Sequence, residues 1–357
     1  MKIRDNNIEA FLALVKSGLW EHDVRLLPFE KVDYEEIMRL AEEQSVVGLV
    51  TAGLELVSVV KVPQEWLLQF IGQTLQIEQR NKEMNAFIAG LVSKLRCNDI
   101  FLILVKGQGI AQCYERPLWR SSGDIDFLLS KDNYRKAVDF FKERYSNNKN
   151  GGDYSKETAF YTEQWMIEVH GSLRTCLSSN IDKEIDNAQK DVFYIGNVRT
   201  WDNGKTQVFL PGVNDDIFFV FTHFIKHFYK EGMNLRQICD WCRLLWKYRE
   251  DVKPELLENR LRKSGLMAEW RAFAALAVDY LGMPANAMPL FDDRKKWHEK
   301  GTKVIRFIMK NGEWRKVRDT LTVCSIFPIS VLRFLPGILF NVNLLKIKER
   351  LFRNGNR

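Results

Sequence analysis

Two carboxylates stand one residue apart in Gly123-Asp124-Ile125-Asp126-Phe127-Leu128-Leu129. Polar and apolar residues alternate there, so a strand's period of two puts Asp124 and Asp126 on one face and Ile125, Phe127 and Leu129 on the other. Carboxylates aimed into one space raise each other's pKa and resist ionising together unless a cation joins them. A divalent metal removes the conflict. Hard oxygen donors suit Mg²⁺, which keeps several waters and is held by one or two carboxylates plus substrate phosphates. Upstream, the apolar run 101–105 suits a strand buried on both faces, and it ends at Lys106-Gly107-Gln108-Gly109, where a helix is expected to start. The backbone N–H groups of Gly107, Gln108 and Gly109 at that helix start would form an anion site, with Lys106 and Arg120 as counter-charges. Metal and phosphate chemistry are implied together.

These motifs resemble those of the DNA polymerase β-like nucleotidyltransferase superfamily, in particular its bacterial "nucleotidyltransferase family protein" branch. The resemblance rests on Lys106-Gly107, on Arg120 four residues before Asp124-Ile125-Asp126, and on a later Glu168-Val169-His170. It covers roughly residues 35–250, with the specific signal at about 100–170. Where the wider superfamily has Gly-Ser or Gly-Gly, this chain has Gly107-Gln108. The resemblance implies an α+β fold, a small mixed-sheet core with helical regions on both sides. It also implies transfer of an NMP group from an NTP, ATP first among them, to a hydroxyl of an unidentified acceptor. Asp124, Asp126 and Glu168 would be the catalytic, metal-holding triad for two Mg²⁺ ions, with Mn²⁺ as the substitute. Lys106, Gly107, Gln108, Gly109 and Arg120 would bind the nucleotide. The competing reading, from another class, is a nucleotide-binding sensor or scaffold that has lost turnover, and its support is Gln108 in place of Ser.

The elements needed to position these residues are legible as periodicities. Residues 8–20, 33–57 and 65–95 carry apolar residues at three- and four-residue steps and read as helices, separated by Pro28 and Pro63. In the third, Gln69, Gln73, Gln76 and Arg80 form a polar stripe, taken as a solvated face. After the Asp strand come a helix from 131 to about 145, a loop at 147–153, and strands at 158–163 and 165–173. In the last of these, Met166, Glu168 and His170 share one face. Strands at 192–201 and 206–210 flank Asp202-Asn203-Gly204-Lys205, a hairpin signal. Helices return after Pro211-Gly212 at 217–229, 235–248, 254–263, 266–280 and 297–309. Four regions follow: 1–95 helical, 96–212 the nucleotidyltransferase core, 213–318 helical, and 319–357 a tail.

Composition limits the alternatives. A chain of 357 residues, 46% hydrophobic, can bury a large core. The net charge of +7 is concentrated at the end, where six basic residues and one acid fall between Arg333 and Arg357. A basic stripe for a phosphate backbone is therefore not evident elsewhere, which weakens a reading as a tRNA- or DNA-binding polymerase and gives no strong nucleic-acid signal. RNA stays among the open acceptors with a small metabolite, a sugar, an antibiotic and a protein side chain. Six scattered cysteines and a polar start point to a reducing cytoplasm without a signal peptide. Residues 321–345, interrupted by Pro328, Arg333 and Pro336, do not qualify as a membrane span. The stretch 338–352 reads as a basic amphipathic helix, either packed on its own domain or docked on an anionic membrane or a partner protein.

Other chemistry-bearing residues have plainer readings. His170 is expected to orient a neighbour rather than act as a base. His223 and His227 have metal-ligand spacing but no third ligand, and a cleft-facing or helix-pairing role is favoured over zinc. Arg236 and Asp240 suit a local i, i+4 ion pair, and Cys239 and Cys242 suit buried thiols.

Overall fold

The computed structural model describes residues 5–22, 32–57, 62–147, 157–230, 232–311 and 317–334. Most of the 147–153 loop and the basic stretch 338–352 lie outside the described residues.

Three helices open the chain: α1 (Asn6–Trp20), α2 (Tyr34–Glu43) and α3 (Val47–Glu55). Asp5 and Asp33 cap the first two by accepting hydrogen bonds from backbone N–H groups of the first turn. The expected single helix over 33–57 is broken at Ser45, whose φ of 56° is left-handed. The break has a tertiary cause. Gln44 is buried there, and its Oε1 accepts the Leu235 N–H at 2.8 Å, satisfying a donor in the first turn of a distant helix. The long α4 (Gln64–Arg96) follows, and Gln69, Gln76 and Arg80 on it are exposed.

The centre is a five-stranded mixed sheet. In chain order its strands are β1 (Ile103–Val105), β2 (Asp124–Leu128), β3 (Ser146–Asn147), β4 (Glu157–Tyr161) and β5 (Met166–His170), and in space they run β1-β2-β5-β4-β3. The β2 and β5 strands are parallel and the other pairs antiparallel. The crossover from β2 begins with α6 (Lys131–Lys142); α5 (Gly107–Ala111) is a single turn after β1. Register gives the two faces opposite fates. Leu104, Ile125, Phe127, Ile167 and Val169 join a hydrophobic cluster with Met84, Ile88 and Leu91 of α4 and Tyr134 and Phe141 of α6. The other face carries the carboxylates.

Residues 179–194 form α7 (Ser179–Tyr194), so the expected strand over 192–201 starts late. Val192 is the last position of a helical stripe of Ile181, Ile185 and Ala188, which outweighs its β-branched preference. After a turn at Gly196, β6 (Val198–Asn203) and β7 (Thr206–Pro211) make the expected hairpin. The remaining helices are α8 (Val213–Lys230), α9 (Leu235–Lys247), α10 (Pro254–Ser264), α11 (Met267–Leu281), α12 (Lys295–Asn311) and α13 (Val317–Ile326). Both ends of the described chain share one hydrophobic cluster, which includes Phe11 and Leu14 of α1 with Phe221, Trp241, Trp270 and Phe273. The α+β class and the flanking helical regions are as expected. Among the described residues, no helix is long and apolar enough to cross a membrane.

Candidate functional site

Parallel pairing of β2 with β5 sets Asp126 directly beside Glu168, and Leu128 beside His170. Asp124, Asp126, Glu168 and His170 therefore project from one sheet face into one cleft of about 720 Å³. Helices α8 and α9 form its opposite wall with His223, Arg236 and Asp240, while Arg39 and Glu43 of α2 and Lys310 of α12 stand at its edges.

Asp126 is 2% exposed and has two nitrogen partners on one oxygen. Lys106 Nζ donates to its Oδ1 at 2.7 Å, and His170 Nε2 lies 2.8 Å from the same atom. Oδ2 makes no such bond among the described residues, so that oxygen is available where Asp126 lines the cleft. Burial alone would raise the Asp126 carboxyl, but the Lys106 ammonium and the His170 ring outweigh it and hold it far below the usual carboxylate range. Burial also works against charge on Lys106, and Asp126, with Glu168 and Asp124, reverses that effect and raises its pKa. Glu168 goes the other way: burial and the Asp126 carboxylate raise it. His170 Nε2 lies 3.4 Å from Glu168 Oε2, so one ring addresses both carboxylates. Burial lowers that ring's pKa, but its hydrogen bonds to the two acids leave it raised. Lys106 reaches Asp126 from a backbone at φ 57°, ψ −148°, a conformation costing a non-glycine residue on the order of 1–3 kcal/mol. The surroundings impose that strain where the side chain meets the site.

Asp126, Glu168 and His170 each offer one ligand atom, all within 4.8 Å of one another. Carboxylate oxygens suit Mg²⁺ and an added imidazole suits Mn²⁺ or its neighbours, so the donor set fits a divalent cation. Asp124 lies outside that trio, on the same face and lining the cleft.

The other sequence-chosen residues divide. Lys106 and Gly107 line the cleft; Gln108 and Gly109 do not. Gln108 is buried with its Nε2 donating to Asn81 Oδ1 at 2.7 Å, and a Cβ at Gly109 would stand 2.8 Å from a Leu210 methyl. Arg120 borders the cleft with its guanidinium fully engaged. Its Nε and Nη2 donate to Asp240 Oδ1 and Oδ2, both at 2.7 Å. Tyr114 Oη also donates to Asp240 Oδ1, at 2.7 Å. The local Arg236–Asp240 pair is therefore replaced by a long-range one, a contact that no local spacing signals. His223 and His227 face each other at 3.0 Å between Nε2 atoms on the cleft wall. Burial, with the Lys106 charge and His227, pushes His223 well below the ordinary histidine value. Cys239 and Cys242 are buried thiols.

A family model described as an uncharacterised nucleotidyltransferase matches residues 30–282, most of the chain and all of this sheet. The chain belongs to that nucleotidyltransferase family. Among solved structures, the crystal structure of an antigenic nucleotidyltransferase-like protein from Paracoccidioides brasiliensis is similar at 13% identity over 56% of this chain and 93% of that one, with a TM-score of 0.33. No match is found among curated proteins.

Proposed function

We propose that this family member transfers an NMP group from an NTP, ATP first among them, to a hydroxyl of a separate acceptor. The observation that carries this reading is the side-by-side placement of Asp126 and Glu168, with Asp124 and His170 on the same face, in a cleft large enough for a nucleotide. Asp124, Asp126 and Glu168 would hold divalent metal, Mg²⁺ in the first instance. When bound, that metal supplies positive charge against the triphosphate and lowers the pKa of a neighbouring hydroxyl. The protein's own groups do the rest. Lys106 and His170 keep Asp126 ionised and fix which of its oxygens faces the cleft. The acceptor oxygen bonds to the α-phosphorus and loses its proton, and the bond from that phosphorus to the bridging oxygen breaks, so pyrophosphate leaves with the electron pair. Residues 96–212 are taken as the catalytic unit, with the helices on either side as the far wall.

Gln108, the residue behind the scaffold reading, packs against Asn81 and does not line the cleft, so no specific observation favours that reading. Calorimetric titration of the full chain with each NTP, with and without Mg²⁺ or Mn²⁺, tests the proposal. Metal-dependent binding that Asp124→Asn and Asp126→Asn abolish is the expected result; well-folded protein that binds no nucleotide with either metal overturns it.

A further inference from the structure

Arg39, Arg120, Arg174 and Arg236 all line the cleft, and three of them already have counter-charges. Arg39 pairs with Glu36 and Glu43, Arg174 with Asp186, and Arg120 with Asp240. Lys106 is likewise matched by Asp126. Arg236 differs. Its Nη1 donates to the Ser121 carbonyl at 2.7 Å, its Nε is enclosed without an acceptor, and it forms no ion pair among the described residues. The carboxylate one helical turn along α9, Asp240, gives both oxygens to Arg120. Burial pushes the Arg236 pKa down, and Arg120 adds to the effect. Asp240 and Asp124 offset this only in part, and a guanidinium drawn largely out of water without a paired carboxylate gains from an arriving anion.

We infer that Arg236 receives the polyphosphate of the nucleoside triphosphate, the part that departs as pyrophosphate; this rests on the nucleotidyl-transfer reading. Its position supports a phosphate. The Ser121 carbonyl that anchors the guanidinium lies three residues before Asp124, so Arg236 is tied beside the Asp124 end of the carboxylate row, where metal-held phosphates would lie. Its chemistry does too, since the planar fork matches two phosphate oxygens at once. Burial disfavours the charged form of His223 on the same wall, which makes it a poorer source of that charge. Arg236 thus takes the role that sequence spacing gives to Arg120, and it comes from α9 on the opposite wall.

Arg236→Gln and Arg236→Lys in the full chain, titrated in Mg²⁺ with ATP, AMP and inorganic pyrophosphate, test this. Arg236→Gln should weaken ATP and pyrophosphate by about tenfold or more, the scale of a lost charge-assisted contact, and leave AMP unchanged. Arg236→Lys should fall between, keeping the charge without the fork. Because the glutamine variant removes a half-buried charge that forms no ion pair among the described residues, its ligand-free melting temperature should not fall. Wild-type affinity for ATP and pyrophosphate in Arg236→Gln overturns the inference and leaves the nucleotidyl-transfer reading standing. Equal loss of AMP and ATP overturns it too, by marking a structural role. Wild-type protein that binds no ATP in metal overturns both.

Discussion

Arg120 and Asp240 meet through two parallel 2.7 Å hydrogen bonds, both residues buried, one on the loop before β2 and the other on α9. The pair ties the sheet to the opposite wall of the cleft. Burial would raise the Asp240 carboxyl, but Arg120, with smaller help from Arg236 and Tyr114, holds it below the usual range.

Removing one partner leaves the other charge buried and unmatched. Asp240→Asn should therefore destabilise the protein by about 3–5 kcal/mol in urea unfolding, and adding Arg120→Gln should recover part of the loss. Strict additivity of the two variants would show that the residues do not act as a pair.

The aspartates of β2 should separate in the same assay. Asp126 answers Lys106 and His170 in a buried setting, whereas Asp124 makes no ion pair among the described residues. Asp126→Asn should cost several kcal/mol, by the same argument from an orphaned lysine, and Asp124→Asn within about 0.5 kcal/mol of nothing. Both should abolish metal-dependent nucleotide binding. Equal stability losses would contradict the asymmetry.

The parts of this site that follow from local periodicity were legible in the sequence. Alternation over 123–129 and 165–170 placed Asp124, Asp126, Glu168 and His170 on single faces, and parallel pairing then joined those faces. Asn203-Gly204 marked its hairpin. Contacts between distant segments left no local trace. Arg120, four residues upstream of β2, gave no hint of Asp240, and an i, i+4 spacing pointed Asp240 at Arg236 instead. Gln108 sits in a turn of helix too short for a periodicity, so its inward direction could not be read. The break at Ser45 contains neither Gly nor Pro and arises from Gln44 bonding α9.

Glycine substitutions should act in opposite directions on different helices. A Cβ on Gly18 would stand 1.9 Å from the Leu49 carbonyl oxygen, and one on Gly53 would stand 2.2 Å from that of Leu14, because α1 and α3 cross in backbone contact. Neither carbonyl can rotate away, so Gly18→Ala or Gly53→Ala should cost at least about 1–3 kcal/mol. Gly72 and Gly90 on α4 meet nothing within 4 Å, and alanine there should stabilise by about 0.4–1 kcal/mol. A melting-temperature series over the four variants checks both signs.

Glu269 should give the protein a pH-dependent stability of its own. It is fully buried on α11, with Tyr229 Oη donating to its Oε1 at 2.7 Å, and burial raises its carboxyl above the ordinary glutamate value. The folded state therefore holds a proton that the unfolded chain releases near pH 4.3 or so. Stability from this group is fully present below that unfolded value and is lost as pH climbs towards the folded one, by at most about 1.4 kcal/mol per pH unit. Glu269→Gln keeps the shape and removes the titration. The melting temperature of the wild type relative to this variant should fall as pH rises above the unfolded glutamate value, the opposite of the trend an ion-paired carboxylate would produce. A constant difference above that value would mean that Glu269 carries the same charge in the folded and unfolded chains, and the assignment of a raised carboxyl would be wrong.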